Sequence, residues 1–195
     1  MMMVFVTLLA ATVVNPSMAS SEVAVRHGRE TVVRYQARIE DEYLIVTAVH
    51  EKGWHTYAMD NQQRAREALQ GKKSLGIEKG IEIEVLQGVE LDGTWLQTKP
   101  IDLSKPELRW FTFGFERTSF FACHVKKLTT DTARLRIRGQ ACDGETCCNV
   151  DVVLALKSVA KSSALQTQFS SMPATKLVKD LVPVEAAEAP TSENP

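Results

Sequence analysis

The segment "ARLRIRGQACDGETCCNVDVVLAL", residues 133–156, consists of two strand-like halves joined by a short polar turn. Side chains along a strand point alternately to opposite faces, so each half divides into an apolar and a polar set. In the first half Leu135 and Ile137 belong to the apolar set, whereas Cys142 belongs to the polar set with three arginines. Between the halves, "DGET" contains Asp-Gly, which is a strong turn signal. The segment therefore predicts a β-hairpin with one face toward a core.

The register of this hairpin decides which cysteines can pair. On the second strand Cys148 belongs to the apolar set and Cys147 to the polar set. If Cys142 lies opposite Cys147, then Arg138 lies opposite Asp151 and apolar residues face apolar residues. A one-residue slip would mix the two faces, which a half-buried sheet resists. Residues directly opposite each other are close enough for a disulfide. We predict a reversible Cys142–Cys147 disulfide on the solvent-facing side, with Cys148 as a buried thiol.

The rest of the chain is rich in strand patterns. These cover 22–27, 31–39, 42–50, 53–59, 81–89 and much of 109–127. A helical pattern, with Asp60 or Asn61 able to cap it, covers 60–69 and ends near Gly71. Residues 90–109 contain Pro and Gly breaks with little periodicity, which predicts a long loop. Many short strands separated by turns predict an all-β, immunoglobulin-like antiparallel β-sandwich with a short helical insertion.

The two ends of the chain have distinct patterns. Residues 4–14 form an apolar run too short to span a bilayer, and small residues follow it. This predicts a signal peptide over 1–19 with cleavage after Ala19, and the alternative is a buried N-terminal strand. The folded domain would cover 22–157, and the composition of 158–195 predicts a weakly structured or disordered tail. We therefore expect a periplasmic or secreted protein, with no membrane span after signal cleavage.

The net charge of the chain argues against nucleic-acid binding. The formal net charge of the 195 residues is −1, so no basic surplus indicates nucleic-acid binding, and we expect none.

Two segments carry a family resemblance. "GQACDGETC", residues 139–147, ends one strand and begins the next, and it resembles the active-site segment of the N-terminal domain of DsbD, the bacterial thiol:disulfide interchange protein. "VHEKGWHTYAMDN", residues 49–61, resembles a strand segment of the same family. The resemblance covers about 30–157. It implies an immunoglobulin-like fold and the passing of reducing equivalents between extracytoplasmic thiol proteins. That chemistry uses no cofactor, and we expect none.

The resemblance also implies roles for particular residues and partners. Cys142 and Cys147 would be the catalytic pair, with Cys147 as the exchanging sulfur. DsbD has one more residue between its cysteines, which leaves Cys142–Cys148 open as a pairing, although the register favours Cys147. The residues that would line or cap the site are Trp54, His55, Tyr57, Trp110, Phe111 and Phe113. The partners would be other extracytoplasmic thiol–disulfide proteins, including a membrane electron donor acting in trans.

Two other interpretations compete with redox exchange. The soft ligands Cys123, His124, Cys142, Cys147 and Cys148 could suit copper or zinc. Because adjacent strand residues point apart, Cys147 and Cys148 cannot easily share one ion, and we predict no metal site. Cys123 is expected in the core and His124 on the surface. The remaining alternative is a non-catalytic β-sandwich binding module whose hairpin disulfide is structural, although so short a ring stabilises little.

Overall fold

Antiparallel strands make up most of the structure, a computed structural model that describes residues 17–72, 77–159 and 172–185. The described strands are β1 (Met18–Ser20), β2 (Val23–His27), β3 (Glu30–Glu40), β4 (Tyr43–His50), β5 (His55–Tyr57), β6 (Glu82–Gln87), β7 (Val89–Gln97), β8 (Ile101–Asp102), β9 (Phe113–Glu116), β10 (Thr118–Leu128), β11 (Thr132–Cys142), β12 (Cys147–Ser158) and β13 (Val182–Pro183). The described α-helices are α1 (Asn61–Leu69) and α2 (Ala174–Leu177).

The strands form two layers around a shared core. One layer contains β2, β3, β4, β10, β7 and β13, and the other contains β12, β11, β5, β9 and β8, with β6 also paired to β11. Strand β1 pairs with both β3 and β12 and so joins the layers at one side. Between the layers the rings of Phe115 and Phe121 meet edge to face, with centroids 5.4 Å apart. The predicted all-β, immunoglobulin-like sandwich is confirmed.

The hairpin of β11 and β12 has the predicted register. Cys142 lies opposite Cys147, and Arg138 lies opposite Asp151. The ion pairs, however, run diagonally. The guanidinium of Arg136 donates to both carboxylate oxygens of Asp151 at 2.8 and 2.7 Å, whereas Arg138 lies 3.4 Å from two carboxylates of β6. Register depends on the apolar face, while long polar side chains on the exposed face reach across to whichever partner is within range.

The predicted loop over 90–109 is largely wrong, because Val89–Gln97 forms strand β7 between β10 and β13. Its pairing with β10 is shifted between Ala122 and His124, which marks a bulge. Gly93 lies opposite this irregular stretch with a φ of +83°, a backbone conformation that glycine adopts easily. A bulge interrupts the alternation of side chains, and for that reason the sequence pattern did not predict a strand.

Helix α1 confirms the predicted helix over 60–69, and its end close to Gly71 is also as predicted. The capping role considered for Asp60 is wrong, because its side chain makes no capping hydrogen bond. Its carboxylate instead accepts two hydrogen bonds from the guanidinium of Arg64, at 2.9 and 2.8 Å, and one from the buried Gln97 amide at 2.8 Å. Asp60 therefore ties the helix to strand β7.

Part of the predicted disordered tail has a defined structure. In residues 172–185, helix α2 buries Ala174 and Leu177 against Ile45 and Ala122 on the outer face of one layer. Strand β13 then pairs with β7. Residues 160–171 and 186–195 of the tail lie outside the described residues.

The N-terminal strand β1 bears on the predicted signal peptide. Met18 is fully buried, and β1 lies between β3 and β12. Residues 1–16, which hold the apolar run, lie outside the described residues. Cleavage after Ala19 therefore stays a prediction, and it would remove two of the three residues of β1. Within the described residues, no helix has the length and apolar character needed to cross a membrane.

Candidate functional site

A disulfide joins Cys142 and Cys147 at the tip of the β11–β12 hairpin, where their Cα atoms are 4.1 Å apart. The turn between them is organised by Asp143. Its carboxylate accepts hydrogen bonds from the backbone N–H groups of Glu145 and Thr146, at 3.0 and 2.9 Å. These bonds favour the charged form and hold the pKa of the Asp143 carboxyl below its usual value. The turn thus holds the two sulfur-bearing residues opposite each other.

The two cysteines differ in their exposure to solvent. Cys147 is exposed, whereas only 2% of Cys142 is accessible. The prediction that Cys142 faces solvent is therefore wrong. Strand β5 pairs with the other edge of β11 and places His55 opposite Cys142. The segment before β6 also crosses this region, because the Gln140 side chain accepts a hydrogen bond from the N–H of Lys79 at 2.9 Å. Alternation along a strand assigns a face, but it does not show whether that face is covered.

Four side chains from four neighbouring strands lie in one row. Glu116 of β9 lies opposite His55 of β5, His55 lies opposite Cys142 of β11, and Cys142 lies opposite Cys147 of β12. Directly opposite residues in antiparallel strands carry their side chains on the same face, close together. The structure therefore places an acid, an imidazole and the disulfide in one line.

The imidazole of His55 is partly buried within this row. Its Nε2 lies 3.2 Å from the hydroxyl of Tyr57, and the two rings meet edge to face. Burial lowers the pKa of His55 below its usual value. Four charged side chains modify this effect: Glu116, Glu78 and Asp143 raise the pKa, and Lys105 lowers it further. The imidazole is thus partly dry and is flanked mainly by carboxylates.

Cys148 lies on the inner face of the hairpin, as predicted, and packs against the core. It is half-buried rather than fully buried, which corrects the expected degree of burial. Burial raises the pKa of its thiol, and the Asp143 carboxylate raises it further. Its direct cross-strand neighbour is Ala141, and Cys142 is already bonded to Cys147. The alternative Cys142–Cys148 pairing is therefore absent from the described hairpin.

A buried polar contact lies on the inner side of β5. The hydroxyl of Thr56 bonds to Nε2 of His50 at 2.8 Å, and Nδ1 of His50 bonds to the Arg117 carbonyl at 2.8 Å. Because a carbonyl can only accept, Nδ1 carries the proton and Nε2 accepts from the hydroxyl. Burial lowers the pKa of His50 to about 4. This histidine is therefore neutral near pH 7 and supports the strand beneath the disulfide.

The predicted lining residues on β5 and just before it lie close to the hairpin. Trp54 is buried, and its ring centroid is 5.8 Å from that of His27. His27 in turn contributes to lowering the pKa of Asp143, which places it near the turn. Tyr57 is fully buried beside His55, and burial raises the pKa of its hydroxyl. Trp54 and Tyr57 are thus placed near the hairpin tip by their contacts with His27 and His55.

The predicted cap residues are only partly brought to the site. Trp110 belongs to a turn closed by two backbone hydrogen bonds with Lys105, at 2.7 and 3.2 Å, and the Lys105 ammonium lies 4.9 Å from its ring centroid. Since Lys105 acts on His55, this turn lies near the disulfide row. Phe111 is half-buried between the turn and β9. Phe113 packs against the core, on the face of β9 opposite to Glu116.

Sequence patterns missed Glu116, Glu78 and Lys105. Each lies on a segment that reaches the site through non-local contacts, and no local motif marks it. The polar residue that ends "FGFE" was the one available signal for Glu116. The predicted surface position of His124 and core position of Cys123 agree with the structure, in which His124 is exposed and Cys123 is 1% accessible.

Metal ligation is the rival chemistry for these cysteines. Over residues 17–72, 77–159 and 172–185, no group of three or more His, Cys, Asp or Glu residues is arranged to hold an ion.

A polar groove opens beside the hairpin, between helix α1 and the exposed face of β11 and β12. The groove includes neither cysteine of the disulfide; its lining includes Arg66, Lys79, Glu82, Arg138, Asn149 and Asp151.

No family model matches this chain, and no curated protein matches it. Among solved structures, the fold is similar to the N-terminal periplasmic domain of ScsB from Proteus mirabilis, with a TM-score of 0.53 and 16% sequence identity. That similarity covers 73% of this chain and 54% of the ScsB chain, so this chain spans about half the length of that protein chain. A second similar structure is the N-terminal domain of Neisseria meningitidis DsbD in the reduced form, with a TM-score of 0.43 and 14% identity, covering 73% of this chain and 86% of that one. The similarity to the ScsB domain agrees with the β-sandwich fold that the family resemblance implied.

Proposed function

We propose that this protein is an extracytoplasmic thiol–disulfide interchange protein that passes reducing equivalents between thiol proteins through Cys142 and Cys147. The observation that carries the proposal is the unequal exposure of the two sulfurs. Cys147 is exposed and open to attack by a partner thiolate, whereas Cys142 is 2% accessible and is the leaving group of that attack. Exchange proceeds at the accessible sulfur, so the pair has a defined polarity.

The chemistry follows from that polarity. A thiolate of a donor dithiol protein attacks the Cys147 sulfur, a bond forms between them, and the Cys142–Cys147 bond breaks with its electron pair on Cys142. The donor's second thiolate then attacks its own sulfur in the mixed disulfide, which releases Cys147 as a thiolate and leaves the donor oxidised. The reduced chain repeats the sequence in reverse, with the Cys147 thiolate attacking the disulfide of an acceptor protein.

The main alternative is a disulfide that only staples a binding module. The bond joins residues separated by 5 positions, and in the chain-entropy model a loop this short contributes little stability. The turn already holds the hairpin tip through the hydrogen bonds of Asp143. A staple would therefore add little here, and this favours a working bond.

The cellular setting is part of the same proposal. An apolar N-terminal run and a disulfide-bonded hairpin both suit an oxidising compartment, and the structurally similar ScsB domain is described as periplasmic. We place the protein in the periplasm or outside the cell. Its partners would be thiol–disulfide proteins, including a membrane electron donor acting in trans.

Trapping of mixed disulfides tests the proposal. Cys142→Ser leaves Cys147 exposed with no internal thiol to resolve a mixed disulfide, so covalent adducts with a thioredoxin-fold protein carrying an oxidised C-x-x-C should accumulate. Cys147→Ser is the matched control, because it leaves the buried Cys142 as the free thiol and should give at least about tenfold less adduct. Both variants are made with Cys148→Ser so that the neighbouring thiol cannot contribute. Adducts are separated on non-reducing gels and identified by mass spectrometry.

The redox potential provides the second measurement. Structural disulfides of secreted proteins have potentials below about −300 mV, so a working pair should equilibrate in glutathione buffer at a less negative value. A bond that glutathione cannot reduce, together with equal trapping by the two variants, would show that the disulfide is structural.

A further inference from the structure

The row of residues that crosses β9, β5, β11 and β12 bears on the step in which the disulfide opens. Cys142 must then take up a negative charge at a site that is 2% accessible. A thiolate without water around it is unfavourable unless a proton or a positive charge is supplied. His55 lies opposite Cys142 in the strand ladder, and its side chain is on the same face. It is the titratable group that the register places next to the leaving sulfur.

We propose that His55 is the acid–base residue of the exchange reaction, protonating Cys142 as the disulfide opens, with Glu116 behind it as a positioning residue. This inference rests on the function proposed above. In the opening step the partner thiolate bonds to the Cys147 sulfur, and the electron pair of the broken S–S bond goes to Cys142. The imidazolium of His55 then gives its proton to Cys142, leaving a neutral thiol and a neutral imidazole. In the reverse direction the imidazole takes that proton back.

Hydrogen bonding prepares the ring for this role. Nε2 of His55 is engaged by the Tyr57 hydroxyl at 3.2 Å, and Nδ1 makes no hydrogen bond to a described residue. The imidazolium carries a proton on each ring nitrogen, and its Nε2–H donates to the hydroxyl oxygen of Tyr57. When Nδ1 gives up its proton, the neutral ring keeps the Nε2 proton in this hydrogen bond, and the bare Nδ1 can take a proton back.

The surroundings of His55 set its proton affinity. Burial disfavours the imidazolium, and carboxylates from three other elements oppose that effect. The groups that act on the ring are Glu116 of β9, Glu78 of the segment before β6, Asp143 of the hairpin turn, Lys105 of the turn after β8, and Tyr57 of the same strand. Of the charges that raise the pKa of His55, Glu116 has the largest effect, and it lies directly opposite His55 in the strand ladder.

The test is the pH profile of disulfide reduction in the full chain, with dithiothreitol as the reductant. The Cys142–Cys147 bond of His55→Gln should be reduced about tenfold more slowly than that of the wild type at the acid end of the profile, where the wild-type imidazolium is available as an acid. The ratio of the two rates should approach one by about pH 8, where that acid is lost. Taking the ratio at each pH removes the reductant's own dependence on pH. His124→Gln, an exposed histidine of β10, is the matched control and should leave the profile unchanged.

Substitution of the exposed Glu116 by Gln tests the acid–base role of His55 independently. It removes the charge that most favours the imidazolium, so the pH at which the acceleration disappears should move downward while the rate at low pH is retained. A wild-type to His55→Gln ratio that is the same at every pH, or an unshifted profile for Glu116→Gln, would overturn the acid–base role. If Cys142→Ser still traps partners in that case, exchange through Cys147 stands and His55 alone has been misassigned.

Discussion

At the scale of single residues, the environment of each cysteine depends on which face of the hairpin carries its side chain and on whether other segments cover that face. Cys147 and Cys142 are bonded to each other, yet one is exposed and the other is 2% accessible. Cys148, one residue further along, turns toward the core, where burial raises the pKa of its thiol. Three neighbouring cysteines therefore have three different settings: an exposed half of the disulfide, a buried half of the disulfide, and a half-buried free thiol with a raised pKa.

A residue-scale prediction concerns His50, which is buried and neutral between Thr56 and the Arg117 carbonyl. Its pKa is lowered from 6.5 to about 4 in the folded protein. Between these values the unfolded chain binds a proton that the folded protein does not, so stability is lost as the pH falls. From pH 6.5 to pH 4 the wild type should lose about 3 kcal/mol more unfolding free energy than His50→Gln.

Urea unfolding at several pH values measures this difference. His124→Gln serves as the control, since that side chain is exposed, and it should follow the wild type throughout. Parallel stability curves for the wild type and His50→Gln would contradict the neutral, buried state assigned to His50.

At the scale of elements, the β11–β12 hairpin is a local unit whose turn brings the two cysteines together. Asp143 accepts two backbone hydrogen bonds within the turn, and Gly144 next to it has a φ of +101°, which suits glycine. The strands are held in register by the apolar face that they share. The neighbouring β5 is different, because it has three residues and reaches β11 and β9 from a distant part of the chain.

The turn leads to an element-scale prediction for the redox potential. Asp143→Ala removes the two side-chain hydrogen bonds, so the reduced thiols are less firmly held together and the disulfide should be easier to reduce, with a less negative potential. Glu145→Ala removes the same charge from an exposed side chain that makes no side-chain contact among the described residues. Titration in glutathione buffer should show a smaller change for Glu145→Ala. Equal changes would mean that charge, rather than the turn, sets the potential.

At the scale of the whole molecule, distant segments complete the layers. Strand β1 joins β3 to β12, and the segment 172–185 adds β13 beside β7 and places α2 over the outer face. Asp60 connects this segment to helix α1, because its carboxylate accepts a hydrogen bond from the N–H of Glu185 at 3.0 Å. The C-terminal segment is therefore part of the folded unit.

Truncating Leu177 tests the docking of this segment. The side chain is 4% exposed and packs in the cluster with Ile45 and Ala122. Leu177→Ala should lower the free energy of unfolding by about 2–3 kcal/mol, because a buried leucine is replaced and the space is only partly refilled. Leu108→Ala is the matched control at a side chain that is 50% exposed, and it should change stability by less than about 0.5 kcal/mol. Chemical denaturation measures both, and equal small effects would mean that α2 is not docked in solution.

Much of the fold and half of the candidate site could be predicted from local patterns. The alternation in residues 133–156 determined the hairpin, its register and the Cys142–Cys147 pairing, because register follows the apolar face and the turn is local. The helix over 60–69 was predictable for the same reason, since its pattern and its end signals lie within one short segment.

The remainder depended on contacts between residues far apart in sequence. Strand β7 could not be recognised in the sequence because its bulge interrupts the alternation of side chains. The docked C-terminal segment is held by side chains of β4 and β10, among them Ile45 and Ala122. Above all, the pairing of β5 with β11 and β9 covers Cys142 and aligns it with His55 and Glu116. The sequence by itself determined which cysteines form the bond, because strand parity is a local property. The tertiary structure decided which of the two cysteines is exposed and placed the imidazole of His55 opposite the buried one, because burial is created by neighbours that no local pattern contains.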